Sequence, residues 1–224
     1  MATLMDGFSA LEARSRRQLL GFALTVVLLI IGAVFLSDVS THADARWYAL
    51  LGAGAALLAL IVGITALVRY YSIQTQAFLF LGIGFLGAAL LDAYHAAIIS
   101  GFFQDRFPTL SAPSSHWSEI ASPLFLAMWL WLSVVQTQWQ RQPDAALIYL
   151  GAALLVAGFI ALVGVLPDLQ LTRLPLQRPE ELLPGFIFML ALVAYLRKGD
   201  WKNDRFEHWL VQALLVSTMT RLIF

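Results

Sequence analysis

Thr75–Gly101 reads TQAFLFLGIGFLGAALLDAYHAAIISG, and this stretch decides the fold. It is almost wholly apolar and long enough, as a helix, to cross a bilayer. Yet its second half carries Asp92 and His95. Ionisable groups are expensive at membrane depth, so their presence there calls for a reason. The other apolar segments are expected to pack around this one.

Composition agrees. Of 224 residues, 60% are hydrophobic and only 12% charged, and the mean hydropathy is +0.77. A soluble domain carries roughly 25% charged residues, so the chain reads as an all-α, polytopic transmembrane helical bundle. Formal net charge is zero, which gives no sign of a nucleic-acid partner. There is no cysteine, which excludes disulfides, thiolate metal sites and cysteine nucleophiles. The first apolar run follows Arg14, Arg16 and Arg17 and lacks a small-residue cleavage site, so it reads as a retained span and not a signal peptide.

In chain order, residues 1–17 form a polar, cytoplasmic lead with a weak amphipathic pattern (Met5, Phe8, Leu11), and 18–224 form the transmembrane domain. Span 1 is expected over 18–37. Span 2 covers 47–68, opened by Trp47 and Tyr48 and closed by Arg69, Tyr70 and Tyr71, an aromatic-belt pattern. Span 3 is the opening stretch. Span 4 covers 116–135 with Ser115 as its N-cap, span 5 145–166, span 6 183–196, and span 7 206–224. The loop 167–184 holds four prolines, and 197–207 is the most charged segment.

Lysine and arginine set the orientation. With the N-terminus inside, the inner segments hold nine (Arg14, Arg16, Arg17, Arg69, Arg141, Arg197, Lys198, Lys202, Arg205) and the outer loops four (Arg46, Arg106, Arg173, Arg178). A cytoplasmic N-terminus is expected. Seven spans then end outside on TRLIF with no interface anchor, so the reading is of a chain cut at its C-terminus, with eight spans in the full protein.

Span 3 then enters from the inner side, and Asp92 lies roughly 24 Å along it, in the outer part of the bilayer. His95 follows at i+3, on the same face. Beyond the loop, His116 and Glu119 repeat that spacing on span 4. Asp92, His95, His116 and Glu119 are therefore candidates to converge near the outer face, with Trp117 beside them. Imidazole with carboxylate suits a divalent metal, a proton-linked switch or a polar ligand. In the plainer reading Asp92 bonds His95 or a hydroxyl and locks packing, while His116 and Glu119 cap span 4 and face water. Arg178, Glu180 and Glu181 are expected to face solvent, with a lid over the site as the alternative. His42 and His208 read as loop or interface residues.

Gly82-Ile-Gly84-Phe-Leu-Gly87 matches G-x-G-x-x-G, but no strand precedes it and it lies in mid-membrane, so it is not a nucleotide motif. These glycines, with Gly52, Ala56 and Gly158, are expected to allow close helix approach. Trp117, Trp129 and Trp131 on span 4 read as anchors or core. A subset could line an apolar pocket for a quinone-like or lipidic ligand.

The run Phe78-Leu-Phe-Leu-Gly-Ile-Gly-Phe-Leu-Gly-Ala-Ala-Leu-Leu-Asp-Ala-Tyr-His95 resembles the L-F-x-G-x-G-F-L-x-x-x-L-D-x-x-H pattern of bacterial membrane-associated sensor domains of the MASE type. These are multi-span input modules of histidine kinases and diguanylate cyclases. The resemblance is sharp over this run and loose elsewhere. It implies that Asp92 and His95 take the family's acidic and histidine positions and that the glycines take its packing positions; His116 and Glu119 are not carried over. It also implies a homodimer in the bacterial inner membrane and no catalysis by this segment. The expected function is sensory, a stimulus near the outer face altering the packing of spans 3 and 4, with a small ligand, a proton or a quinone-like molecule as candidate partner and no cofactor assigned. Two other classes are weighed: a small proton-coupled transporter using Asp92, against which stands the lack of internal repeats, and an intramembrane metal-dependent hydrolase, against which stands the lack of a nucleophile or base pattern.

Overall fold

In the computed structural model of the chain, the described residues are 20–31, 45–99, 115–136, 144–165, 181–202 and 204–223, with the side chains of 45–49, 99, 115, 116, 164, 165 and 223 outside the description. All regular structure among them is helical: α1 (Leu20–Ile31), α2 (Ala45–Ile73), α3 (Gln76–Ile99), α4 (Ser115–Val135), α5 (Ala145–Val165), α6 (Leu182–Lys198), a 3-10 turn (Asp200–Lys202) and α7 (Arg205–Ile223). The expected loops at 101–114 and 167–180, the lead 1–17 and His42 lie outside the described residues.

Helix boundaries follow local chemistry. α2 runs on through Arg69–Tyr71, which the sequence reading placed after its end, and stops at Gln74, whose left-handed backbone (φ 54°) closes an N–H to the Tyr70 carbonyl at 2.7 Å. α6 stops at Gly199 (φ 81°), a left-handed cap bonded to the Tyr195 carbonyl. Asp144 and Asp204 cap the N-termini of α5 and α7, accepting from the Ala146 N–H at 3.0 Å and the Phe206 N–H at 2.9 Å. Ser115, expected as the cap of α4, stands in its first turn instead.

Four helices, α2 to α5, are long and apolar enough to cross a membrane. α6 has only 17 residues, and α7 carries Arg205, Glu207, His208, Gln212 and Arg221. α3 and α4 form the centre: 61% of each span is buried, against 17% for α2 and for α5. The exposed leucines and isoleucines of α2 and α5 suit acyl chains. The buried core joins Leu79, Leu81 and Leu91 of α3, Phe125 and Trp129 of α4, Phe188 of α6 and Val211 and Leu214 of α7.

Glycine sets the α3 contacts. A Cβ on Gly82 would come within 2.6 Å of the Leu67 side chain and 3.1 Å of the Leu67 backbone nitrogen; one on Gly63 of α2 would meet Leu86 in the same way, at 2.9 Å. On the opposite side, a Cβ on Gly84 would come within 2.8 Å of the Trp129 Cβ, and one on Gly87 would run into the Phe125 ring. The G-x-G-x-x-G run is thus a packing device for two neighbours. A Cβ on Gly52 would meet the Ala96 Cβ at an ordinary 3.5 Å. Gly158 does not share this role: nothing lies within 4 Å of its Cβ position, because α5 is peripheral.

Hydroxyls supplement the contacts. Ser133 gives its hydrogen to the Leu130 carbonyl (2.6 Å), so it accepts from the Tyr195 hydroxyl at 2.7 Å and ties α4 to α6. Thr25 likewise gives its hydrogen to Gly21 and accepts from Gln212 at 2.7 Å, tying α1 to α7. One end of the bundle is basic and aromatic. There Arg69 lies over the Phe78 ring at 4.5 Å and the Phe206 ring at 5.4 Å, and Lys198 pairs with Glu207 and with Asp200 at 3.2 Å. Burial works against the Lys198 charge, but Glu207 and then Asp200 outweigh it and hold the ammonium above its ordinary 10.5. His208, read as an interface residue, instead packs edge-on against Phe22 with ring centres 5.1 Å apart.

Gly87→Leu is expected to destabilise the bundle by about 3 kcal/mol or more through overpacking against Phe125. Gly158→Ala should leave stability unchanged or raise it slightly. Thermal unfolding in detergent micelles, followed by circular dichroism, checks both; equal melting of the two variants would refute the packing role of Gly87.

Candidate functional site

The opposite end of the bundle carries a second polar cluster. α3 delivers Asp92 and His95 from its last two turns, and α4 delivers Ser118, Glu119 and Ser122 from its first two. Because α3 and α4 are antiparallel and held together by Gly84 and Gly87 lower down, these turns meet side by side.

The His95 Nδ1 lies 2.7 Å from the Ser118 Oγ. Ser118 is 1% exposed and Ser122 4%, so both hydroxyls sit in the helix interface. Ser122 donates to the Ala88 carbonyl at 3.3 Å and lies within hydrogen-bonding reach of the Asp92 carboxyl. Asp92 is in turn within electrostatic range of His95 and of Arg221 on α7. Glu119, on an exposed position, acts on His95 through space together with Asp92. The site is thus a half-buried mixture of one imidazole, two carboxyls and two hydroxyls, with a guanidinium at its edge.

That guanidinium is anchored. Arg221 Nη1 donates to Glu181 Oε2 at 2.7 Å, with both side chains largely buried (26% and 14% exposed). Glu181 precedes α6, and one turn on a Cβ at Gly185 would come within 3.0 Å of the Leu222 side chain and 3.4 Å of the Arg221 Cβ, so the missing side chain lets α7 approach. α6 and α7 therefore close on each other beside the α3–α4 pair. Glu181, expected to face solvent, is paired with Arg221; Arg178 and Glu180 lie outside the described residues.

Pro123 follows one turn after Glu119 inside α4. It has no N–H to give to the Glu119 carbonyl, which weakens the helix ladder at the level of the site.

Of the candidates read from the sequence, His95 comes within electrostatic range of both Asp92 and Glu119. Trp117 is half-buried and packs on the core. His116 lies outside the described side chains. Sequence reasoning missed Ser118, Ser122 and Arg221. The two serines had a signal: at i and i+4 on α4 they share one face, opposite Asp92 and His95. Arg221 had none, since its place depends on how α7 packs. Among the described residues no group of three or more His, Cys, Asp or Glu could hold a metal ion.

Ser118→Ala removes the hydroxyl that holds the His95 ring and is expected to cost about 1 kcal/mol of stability. The His95 tautomer should also change, which nitrogen-15 NMR of labelled histidine in micelles would detect; an unchanged His95 signal would contradict the bond.

No curated protein and no solved structure matches the chain. The family model for MASE3, a membrane-associated sensor domain, matches residues 50–224, which takes in α2 to α7 and every residue of the site just described. The chain accordingly belongs to the MASE3 family of membrane-associated sensor domains.

Proposed function

We propose that this domain is the sensory input module of a bacterial signal-transduction protein and detects its stimulus at the polar end of α3 and α4. The observation that carries this reading is the hydrogen bond between His95 and the buried Ser118, with Asp92 alongside. A small ligand or a proton arriving there changes the hydrogen bonding between two central helices. Imidazole is the side chain whose charge changes near neutral pH, so protonation at His95 is one such stimulus. A stimulus moves the domain only if it binds two helix arrangements unequally. The electrostatic reach from Asp92 to Arg221 and the Arg221–Glu181 pair offer a route to α6 and α7. The effector that reads the change lies in the same full-length protein, and homodimers are its expected signalling form.

The topology belongs to the same proposal: seven spans, multi-pass in the inner membrane, with a cytoplasmic N-terminus. The basic end, with Arg69, Arg197, Lys198, Lys202 and Arg205, then faces the cytoplasm, and the polar site faces outward.

In the full-length protein, Asp92→Asn and His95→Gln are expected to remove the response of the effector to outside pH between 5 and 8, with a loss of tenfold or more in dynamic range. Leu147→Ala, at a lipid-facing position 67% exposed, should leave it intact. If both site variants respond like the unmodified protein, the site is structural only. The orientation is checked separately: the chain has no cysteine, so single cysteines at Lys202 and at Asp105, in the expected outer loop, should react with an impermeant maleimide from the cytoplasmic and outer sides respectively. The reverse pattern would invert the topology.

A further inference from the structure

Outside the polar site, α6 presents one continuous stripe: Leu190, Val193, Ala194, Arg197 and Lys198, at i, i+3, i+4, i+7 and i+8. This stripe faces Trp131, Val134 and Val135 at the end of α4, and the two helices enclose a cleft of about 430 Å³. Its walls are apolar for two turns and cationic at the mouth. Leu190 (38% exposed) and Val193 (39%) are not covered by another helix among those described. Arg197 is exposed and has no carboxylate partner among the described residues, whereas Lys198 already holds Glu207 and Asp200. Two further interhelical clefts among the described residues, one lined by Ala56 and Ala93 between α2 and α3 and one by Phe125 and Tyr149 beside α5, carry no charge.

We infer that the α4–α6 cleft is a binding site for an anionic phospholipid, with an acyl chain lying against Leu190, Val193 and Val134 and the headgroup phosphate held by Arg197. The chemistry is directional. Arginine forms a planar, two-pronged contact with phosphate, and basic pockets between transmembrane helices take anionic headgroups; Trp131 adds an aromatic wall to the cleft. An apolar molecule without charge would leave Arg197 unused. A soluble phosphate would leave the apolar walls unused. Tyr195, next to Ala194 on α6, is bonded to Ser133 of α4, so a lipid in the cleft would brace the α4–α6 contact. The inference is independent of the sensory reading, because it concerns the basic end of the bundle and not the Asp92 site.

Native mass spectrometry of the intact protein, released from micelles doped with phosphatidylglycerol or with phosphatidylcholine of the same chain length, tests it. Phosphatidylglycerol should be retained over phosphatidylcholine by about fivefold, and Arg197→Gln should lower its retention by about the same factor. Arg197→Lys should keep part of the preference, and Ala194→Trp, which fills the cleft, should lower retention of both lipids. Circular dichroism of each variant identifies any that misfolds, and Arg197→Gln, altering only an exposed side chain, is expected to melt like the unmodified protein. Equal retention of the two lipids, unchanged retention in Arg197→Gln, displacement by millimolar inorganic phosphate, or a second copy of the chain in place of lipid would each overturn the assignment.

Discussion

The absence of side chains at Gly82, Gly84 and Gly87 is the constraint on which the bundle depends. Lipid offers little hydrophobic reward for bringing helices together, since acyl chains are as apolar as leucine, so contact must come from close packing. α3 achieves it on two sides at once: Gly82 receives Leu67 of α2, and Gly84 and Gly87 receive Trp129 and Phe125 of α4. Gly63 of α2 returns the contact on Leu86. A central helix with bulky residues at these places would hold its neighbours apart, and the polar groups at its end would not meet.

That end shows how a membrane protein accommodates ionisable side chains. Asp92 and His95 are not isolated among acyl chains. Ser118 and Ser122 stand on the facing helix, Glu119 lies nearby, and Arg221 brings a compensating charge from a third helix while bonded to Glu181. The hydroxyls are almost fully buried, so the bond to His95 exchanges with little competing water. Pro123 loosens the α4 ladder at the same level. The helix interface is therefore close-packed at the glycines and lacks one backbone hydrogen bond at the level of the site.

The basic end has a different character. Arg69 rests on two phenylalanine rings, Lys198 is held charged by carboxylates, and Phe22, Trp201 and His208 stack around the start of α7. Since Lys198 stays protonated well beyond neutrality, its ion pairs are expected to hold across the range in which an imidazole titrates. The two ends of the bundle thus differ in chemistry: hydroxyls, an imidazole and carboxyls at one, ion pairs and cation–aromatic contacts at the other.

The sequence by itself determined the all-helical class, the approximate extents of α2 to α7, the packing role of the α3 glycines and the pairing of α3 with α4 that brings Asp92 and His95 toward Glu119. Each follows from local rules: apolar length, i+3 spacing and short connections between antiparallel helices. Tertiary structure alone decided that Ser118 is the partner of His95, that Arg221 reaches the site and pairs with Glu181, that Gly158 faces open space while Gly87 is filled by Phe125, and that α4 and α6 leave a cleft with a cationic mouth. The physical reason is rotational. A run of apolar residues fixes that a helix forms and how long it is, but in lipid nearly every face is apolar, so the pattern cannot say which face turns inward. The hydrogen bonds, ion pairs and close contacts between helices fix that rotation, and they exist only once the helices are assembled.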